Sequence, residues 1–234
     1  MPKVVKVKDK WKAKTWLSVF SASVFGNIPI ASIPVNEPGN AVGRVVSSSL
    51  YDLFKDDPAN NNIKLYFQID KVEGDKAFTH VKRIEYVHEF LRGLIRRGSS
   101  IVELIKDYHT VDGVKVRIYV NVFTQKTINT SKKHDIRKGV DLALSSKVPS
   151  ISFDQLVQIA ITGKLAESIG ENIKKIERIK HVGIGKLKVL GALPAMEDFN
   201  KAIPSTQQPT TGEPISSSPT TSPSETSSNI QQEK

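Results

Sequence analysis

Apolar and polar side chains alternate from Val114 to Phe123. Val114, Val116, Ile118, Val120 and Val122 fall on one side, and Lys115, Arg117, Tyr119, Asn121 and Phe123 on the other. A period of two held this long predicts a strand with one buried and one mixed face. Asp112-Gly113 just before it predicts a hairpin, because a type I′ turn needs positive φ at both central residues. Its partner strand is then Ile101–Tyr108. Upstream, Trp16–Phe25, Val42–Leu50, Ile63–Val72 and Lys76–Ile84 have the same strand texture, punctuated by Gly26-Asn27, Pro38-Gly39-Asn40, the Asp57–Asn62 stretch and Glu73-Gly74-Asp75. Connections this short leave no room for crossover helices, so an antiparallel sheet curled toward a barrel is expected.

The period changes at residues 84–97. Ile84, Val87, Phe90, Leu91, Leu94 and Ile95 share one helical stripe, Arg92, Arg96 and Arg97 suit the negative helix C-terminus, and Gly98 stops the run. This helix is expected to cover one side of the sheet. Residues 131–147 predict a second helix, ended by Pro149, and its cationic start has the wrong sign for the helix dipole. Ser152-Phe153-Asp154-Gln155 has the form of a capping box, with Ile151 and Leu156 as its hydrophobic staple. A further helix from Leu165 places Leu165, Ile169, Ile173, Ile176 and Ile179 on one face, and Val182–Leu190 reads as a last strand. Residues 201–234 are rich in Ser, Thr, Pro and Gln, with too little apolar surface to offset the entropy of ordering. The expected organisation is α+β: a basic N-terminal extension over 1–13, a single domain over 14–200, and a disordered tail over 201–234. Within the domain, 14–130 is β-rich, and 131–194 is helical with a final strand.

Charge adds a statement about partners. The 234 residues carry 34 Lys+Arg against 24 Asp+Glu, a net charge of +10. The tail contributes only Lys201, Lys234, Glu213, Glu225 and Glu233, so the rest of the chain is more basic than the whole. An excess of this size points to nucleic acid first and an anionic membrane second. It is concentrated in two places. One is the first fourteen residues, where Lys3, Lys6, Lys8, Lys10, Lys12 and Lys14 face Asp9 as the only acid. The other is the connection after Phe123 and the helix it leads into, with Lys126, Lys132, Lys133, His134, Arg137 and Lys138. A cation cluster set against a helix dipole asks for another reason, such as an anionic partner. Trp11 and Trp16 have two readings: core and lid, or indoles that stack on a base beside the lysines.

Candidate chemistry is sparse. With no cysteine, disulfides, Cys-ligated metal and thiol nucleophiles are excluded. The Gly183-Ile184-Gly185-Lys186 run departs from a phosphate loop twice, because Lys180 stands where the first glycine belongs and Leu187 replaces Ser/Thr. His80, His88, His109, His134 and His181 have no metal-ligand spacing. No serine sits in a nucleophile elbow. Catalysis, metal and cofactor are therefore not expected. No apolar run reaches bilayer length and no signal-peptide core follows the Lys-rich start, so a soluble intracellular protein without a membrane partner is expected. What remains is a basic body able to contact phosphates without a discrete pocket.

A set of short motifs then acquires meaning by order and spacing. These are Asp9-Lys10-Trp11, Gly43-Arg44-Val45 leading to Ser49-Leu50-Tyr51-Asp52-Leu53, Thr110-Val111-Asp112-Gly113, Phe123-Thr124-Gln125-Lys126, Ile136-Arg137-Lys138 and Ser168-Ile169-Gly170-Glu171-Asn172-Ile173. In this order they resemble the archaeal and eukaryotic family of small-subunit ribosomal protein one, called "three-a-e" in older naming. The resemblance implies a structural protein with a barrel-like antiparallel core and packed helices, located in the cytoplasm on the ribosome. It implies a place on the subunit platform near the mRNA exit, against ribosomal RNA and neighbouring ribosomal proteins, with mRNA nearby. The Ser/Thr/Pro-rich tail departs from the family, and the N-terminal extension is short; both suit an archaeal form better than a eukaryotic one.

On this reading the RNA contacts are Lys3, Lys6, Lys8, Lys10, Trp11, Lys12, Lys14, Arg44, Lys126, Lys132, Lys133, His134, Arg137 and Lys138. Two other classes compete with it. One is an adaptor outside the ribosome that binds RNA or uses the Lys-rich arm on an anionic surface. The other is a nucleic-acid enzyme using Asp107 and Asp112 with a divalent ion.

Overall fold

A computed structural model of the chain describes residues 11, 14–55 and 57–191. The lysines at 3, 6, 8, 10 and 12 and the tail over 201–234 lie outside the described residues. In chain order the elements are β1 (Thr15–Phe20), β2 (Pro29–Val35), β3 (Val45–Ser49), α1 (Leu50–Phe54), β4 (Ile63–Glu73), β5 (Lys76–Tyr86) and α2 (His88–Leu94). They continue with β6 (Ile101–His109), β7 (Lys115–Thr124), α3 (Thr130–Lys147), α4 (Phe153–Thr162), α5 (Lys164–Ile173) and β8 (Ile179–Val189). The fold is α+β, an eight-stranded sheet with helices packed on it.

The sheet branches at β5. One edge of that strand is paired along its length by β4. The other edge is shared, with β1 taking its start at Lys76 and Ala77 and β8 taking its end from Arg83 to Glu85. From β8 the sheet continues through β7 to β6, and from β1 to β2, while β3 lies outside β4. Among the described residues it does not close: β2, β3 and β6 each pair on one side only. All pairings are antiparallel except β1 with β5. The crossover-helix argument holds for parallel strands adjacent in sequence; these two are separated in the chain by β2, β3 and β4, which supply the return path.

The period-two stretch becomes β7, and β6 pairs it in register from Ile101↔Phe123 to His109↔Lys115. Its buried residues are the ones the alternation selects: Val116, Ile118, Val120 and Val122 are each at most 1% exposed. Over that face lies the helical layer. Ile136, Val140 and Leu144 of α3, Leu156 and Val157 of α4, and Leu165, Ile169 and Ile173 of α5 join the same core. Burying each such side chain stabilises the fold by about 1.5–3 kcal/mol relative to exposure, an upper figure against a compact unfolded chain. A second, smaller cluster of Leu17, Val19, Val35, Ala41, Ile69 and Ala77 holds the β1–β2 branch to β4 and β5.

Several expectations are corrected. The helix over 84–97 is only α2, a short element without buried side chains. Ile84 belongs instead to β5, opposite Leu65 and Leu187, and Ile95 is half exposed. The stripe failed because β5 alternation carries on to Tyr86 before any helix starts. The β6–β7 turn is a longer loop, not type I′. Its positive φ is confined to Gly113, while Thr110 N–H donates to Val114 O and Gly113 N–H to Thr110 O. Ser49 does not extend a strand to Leu50. It caps α1, its hydroxyl accepting from Asp52 N–H while the Asp52 carboxylate accepts from Ser49 N–H. Ile179, assigned to the α5 stripe, begins β8, since α5 ends at Ile173. Trp16 is 62% exposed and cannot be core, because Leu17 and Val19 are the inward residues of β1.

Candidate nucleic-acid interface

Three surfaces carry the candidate contacts. The first is the start of α3. Asn129 is its N-cap but provides no side-chain cap, and the first turn contains no acid. Helical spacing divides the polar residues into stripes. Ile136, Val140 and Leu144 point into the core. Lys133, Arg137 and Asp141 share a stripe toward β6, where Arg137 Nε donates to Glu103 O at 3.1 Å and Asp141 meets Lys106 and Tyr108. His134 and Lys138 share an exposed stripe with Leu142. Lys132 is also exposed but bonds Glu177 at 2.6 Å. That hydrogen bond, then the backbone N–H of Arg178, and then the charges of Lys132 and Lys126 hold the Glu177 carboxyl below its usual range. The charges of Lys126 and Lys132 therefore both act on Glu177, while Lys138 and His134 lie on their own exposed stripe.

The second surface precedes β1. Lys14 Nζ stands 3.7 Å from the centre of the Trp11 ring, and Trp11 is 64% exposed. Trp16 is exposed as well, so the core-and-lid reading fails. Arg44 adjoins this second surface and not α3: it lies before β3, and its guanidinium donates at 3.4 Å to the carbonyl of Pro34, the β2 partner of Trp16. In the strand order, β4, β5, β8 and β7 separate β3 from β6, on which α3 packs.

The third surface was not assembled from sequence. The sheet face opposite the helices carries a row with one residue from each of six strands: Ser47, Tyr66, Arg83, Lys188, Arg117 and Asp107. Beside it runs a second row of Ser49, Lys64, Glu85, Lys186, Tyr119 and Ile105. Neighbouring strands are about 4.8 Å apart, so Arg83, Lys188 and Arg117 stand side by side. Like charges directly opposite are unfavourable, and two acids relieve them. Glu85 accepts from Tyr66 Oη and approaches Arg83 Nε at 3.5 Å and Lys186 Nζ at 3.4 Å. Burial alone would raise its carboxyl, but the Tyr66 hydrogen bond and these cations leave it below the usual range. Asp107 accepts from Arg117 Nε at 2.6 Å and Nη2 at 3.0 Å, with Lys115 at 3.5 Å. The Arg117 hydrogen bond lowers the Asp107 carboxyl and raises the guanidinium in turn.

A register shift at Tyr66/Phe67 places both Lys82 and Arg83 on this open face. An extra residue in one strand does this by shifting the alternation by one. Val45, Ser47, Tyr66, Lys82, Arg83 and Lys188 line a cleft of about 410 Å³. Among the described residues neither Lys82 nor Lys188 has an acidic partner within ion-pair distance. The signal in the sequence was small: Val81-Lys82-Arg83-Ile84 breaks the alternation of Ala77, Thr79 and Val81.

The remaining motifs have structural roles. Gly183 and Gly185 lie within β8, where an added Cβ would stand 2.6 Å from Tyr86 Cε2 and from Asn121 Nδ2, respectively. Their glycines clear space for those side chains and form no phosphate loop. Asp107 is held by Arg117, and the Asp112 carboxylate accepts from Phe153 N–H at 2.6 Å, so the two carboxylates proposed for a divalent ion are each engaged elsewhere. His181 sits among Tyr86, Phe90 and Phe123, its imidazole pKa lowered by burial and then by Lys180. Among the described residues no cluster of three or more His, Asp or Glu side chains is arranged to hold a metal, and no helix is long and apolar enough to cross a membrane.

The sequence pattern of the Ribosomal S3Ae family matches residues 3–192 of this chain. A protein of Desulfurococcus amylolyticus named small ribosomal subunit protein eS1 is 36% identical over 197 residues, 84% of this chain and 92% of the relative. The protein of that name from Methanocaldococcus jannaschii is 38% identical over 188 residues, 80% and 84% of the two chains. That from Archaeoglobus fulgidus is 35% identical over 202 residues, 86% and 95%.

Proposed function

The chain belongs to the ribosomal S3Ae family, and from that premise we propose that it is a structural, non-catalytic component of the small ribosomal subunit in the cytoplasm. We place it on the subunit platform near the mRNA exit, against ribosomal RNA and neighbouring ribosomal proteins. It holds RNA through phosphate contacts. The observation that carries this reading is the start of α3, where Lys132, Lys133, His134 and Lys138 gather on a helix whose first turn has neither an acid nor a side-chain cap. Such a start repels cations intrinsically, and a polyanion supplies the compensation.

The arrangement divides the work. Lys138 and His134 face outward and are open to phosphate. Lys132 pairs with Glu177 and exchanges it for phosphate on binding, with the Lys126 charge acting on the same carboxylate. Arg137 spends one N–H on the β6 carbonyl and keeps the rest of its guanidinium for RNA. Recognition of this kind reads backbone position and shape rather than base edges.

The test is a salt titration of RNA affinity. Replacing Lys132, Lys133, Arg137 and Lys138 together by Gln is expected to lower the slope of log affinity against log salt by about 3, from about 0.7–0.9 per lost contact. A slope equal to that of the unaltered chain removes α3 from the interface.

A further inference from the structure

Beyond the α3 contacts, we infer that the cleft on the open sheet face binds one unpaired nucleotide extruded from an RNA strand. This rests on the RNA-binding reading above and adds a second site to it, at the β3–β4–β5–β8 part of the sheet. The cleft has the three surfaces a nucleotide requires. Lys82 and Lys188, with no acidic partner among the described residues, offer ammonium groups to a phosphate. Tyr66 and Arg83 form a platform, the guanidinium carbon standing 3.8 Å from the ring centre. Aromatic rings and Arg guanidinium planes are the two surfaces on which splayed-out RNA bases stack. Val45, 44% exposed, gives an apolar wall, and the Ser47 hydroxyl offers a hydrogen bond to a base edge or a ribose hydroxyl.

The volume, about 410 Å³, lies at the small end of the range for ligand pockets and matches a single nucleotide better than a duplex. The platform is also held in place. Tyr66 Oη donates to Glu85, which in turn faces Arg83 and Lys186, so the ring and the guanidinium are fixed before any ligand arrives. The bulge opposite Tyr66 is what puts two consecutive side chains, Lys82 and Arg83, on this face; if the alternation of Ala77, Thr79 and Val81 continued, Arg83 would point into the core.

The experiment compares two fluorescein-labelled RNA duplexes, one fully paired and one with a single extruded adenosine, bound to the full chain at one fixed salt concentration. The extruded duplex is expected to bind about tenfold more tightly, the scale of stacking one base. Lys82→Gln with Lys188→Gln, and separately Tyr66→Leu, are expected to reduce that ratio to near one while the paired duplex still binds. The α3 replacements should weaken both duplexes and preserve the ratio. The lysine pair has no acidic partner among the described residues to lose, so it decides the question even if Tyr66→Leu impairs folding. A ratio near one in the unaltered chain, or a ratio unmoved in the cleft variants, overturns the cleft and leaves the α3 reading standing. Adenosine monophosphate binding as tightly as the extruded duplex assigns the cleft to a free nucleotide and overturns it also. If neither duplex binds, the RNA-binding reading itself fails.

Discussion

Asp112, in the β6–β7 turn, accepts a hydrogen bond from the backbone N–H of Phe153 at 2.6 Å, joining residues 41 apart in sequence. The hairpin tip thereby completes the N-terminus of α4, where the N-cap Ser152 hydroxyl accepts from Gln155 N–H at 3.4 Å. A carboxylate at this end also suits the helix dipole. Asp112→Ala is expected to cost about 1 kcal/mol of stability, and Asp112→Asn less, since its carbonyl can still accept. Urea denaturation measures both; equal stability in all three proteins contradicts the cap.

The close approach of Gly185 to Asn121 supplies a second prediction. A Cβ at 185 would lie 2.6 Å from Asn121 Nδ2 and 3.0 Å from its Cγ. Gly185→Ala is expected to destabilise by about 1–3 kcal/mol, as overpacking does. Asn121→Ala in the same chain should recover most of the loss. Strict additivity of the two changes in thermal denaturation would show that they do not touch.

Asp141 makes stability depend on acid. It accepts from Lys106 Nζ at 2.7 and 2.8 Å, from Tyr108 Oη at 2.9 Å and from Ser145 Oγ at 3.3 Å. The Lys106 hydrogen bond leads in holding its carboxyl below the usual range, while burial and then Asp141 push the Tyr108 phenol up. A folded-state pKa below the unfolded one contributes stability in full above the ordinary aspartate value, about 3.9. That stability is lost as pH falls from there through the folded value. The melting temperature should therefore drop below about pH 4, and Asp141→Asn should flatten that limb. At neutral pH the variant is expected to lose up to about 1 kcal/mol, the scale of a solvent-screened pair.

Lys132 has to leave Glu177, 2.6 Å away, to meet a phosphate. Glu177→Gln removes that competing carboxylate, so RNA affinity is expected to rise at every salt concentration while the slope stays that of the unaltered chain, since Lys132 is a phosphate contact in both. Unchanged affinity would place Lys132 off the RNA path.

Much of the fold could be read from periodicity because one face of the sheet is dry. Val116 to Val122 and Leu165 to Ile173 each announce their buried side by spacing alone; 131–147 was legible as a helix, but its buried face of Ile136, Val140 and Leu144 was not. The reading failed where two periods met. From Ile84 to Ile95 a strand end and a short exposed helix together imitate one long amphipathic helix. It failed again where a side chain serves a distant segment: Asp112 signals a tight turn locally, and its carboxylate is engaged at α4. The α3 cations were visible as a run. The open-face row was not, since Arg83, Lys188 and Arg117 come from three strands whose register only the folded sheet sets.

The central claim is membership of the small subunit, and sedimentation of an extract of the cells that make the protein through sucrose gradients at low and high salt tests it most directly. Detection by immunoblot should find the chain with the small subunits at low salt and still with them after the high-salt wash. Migration at the top of the gradient in both salts would contradict the account.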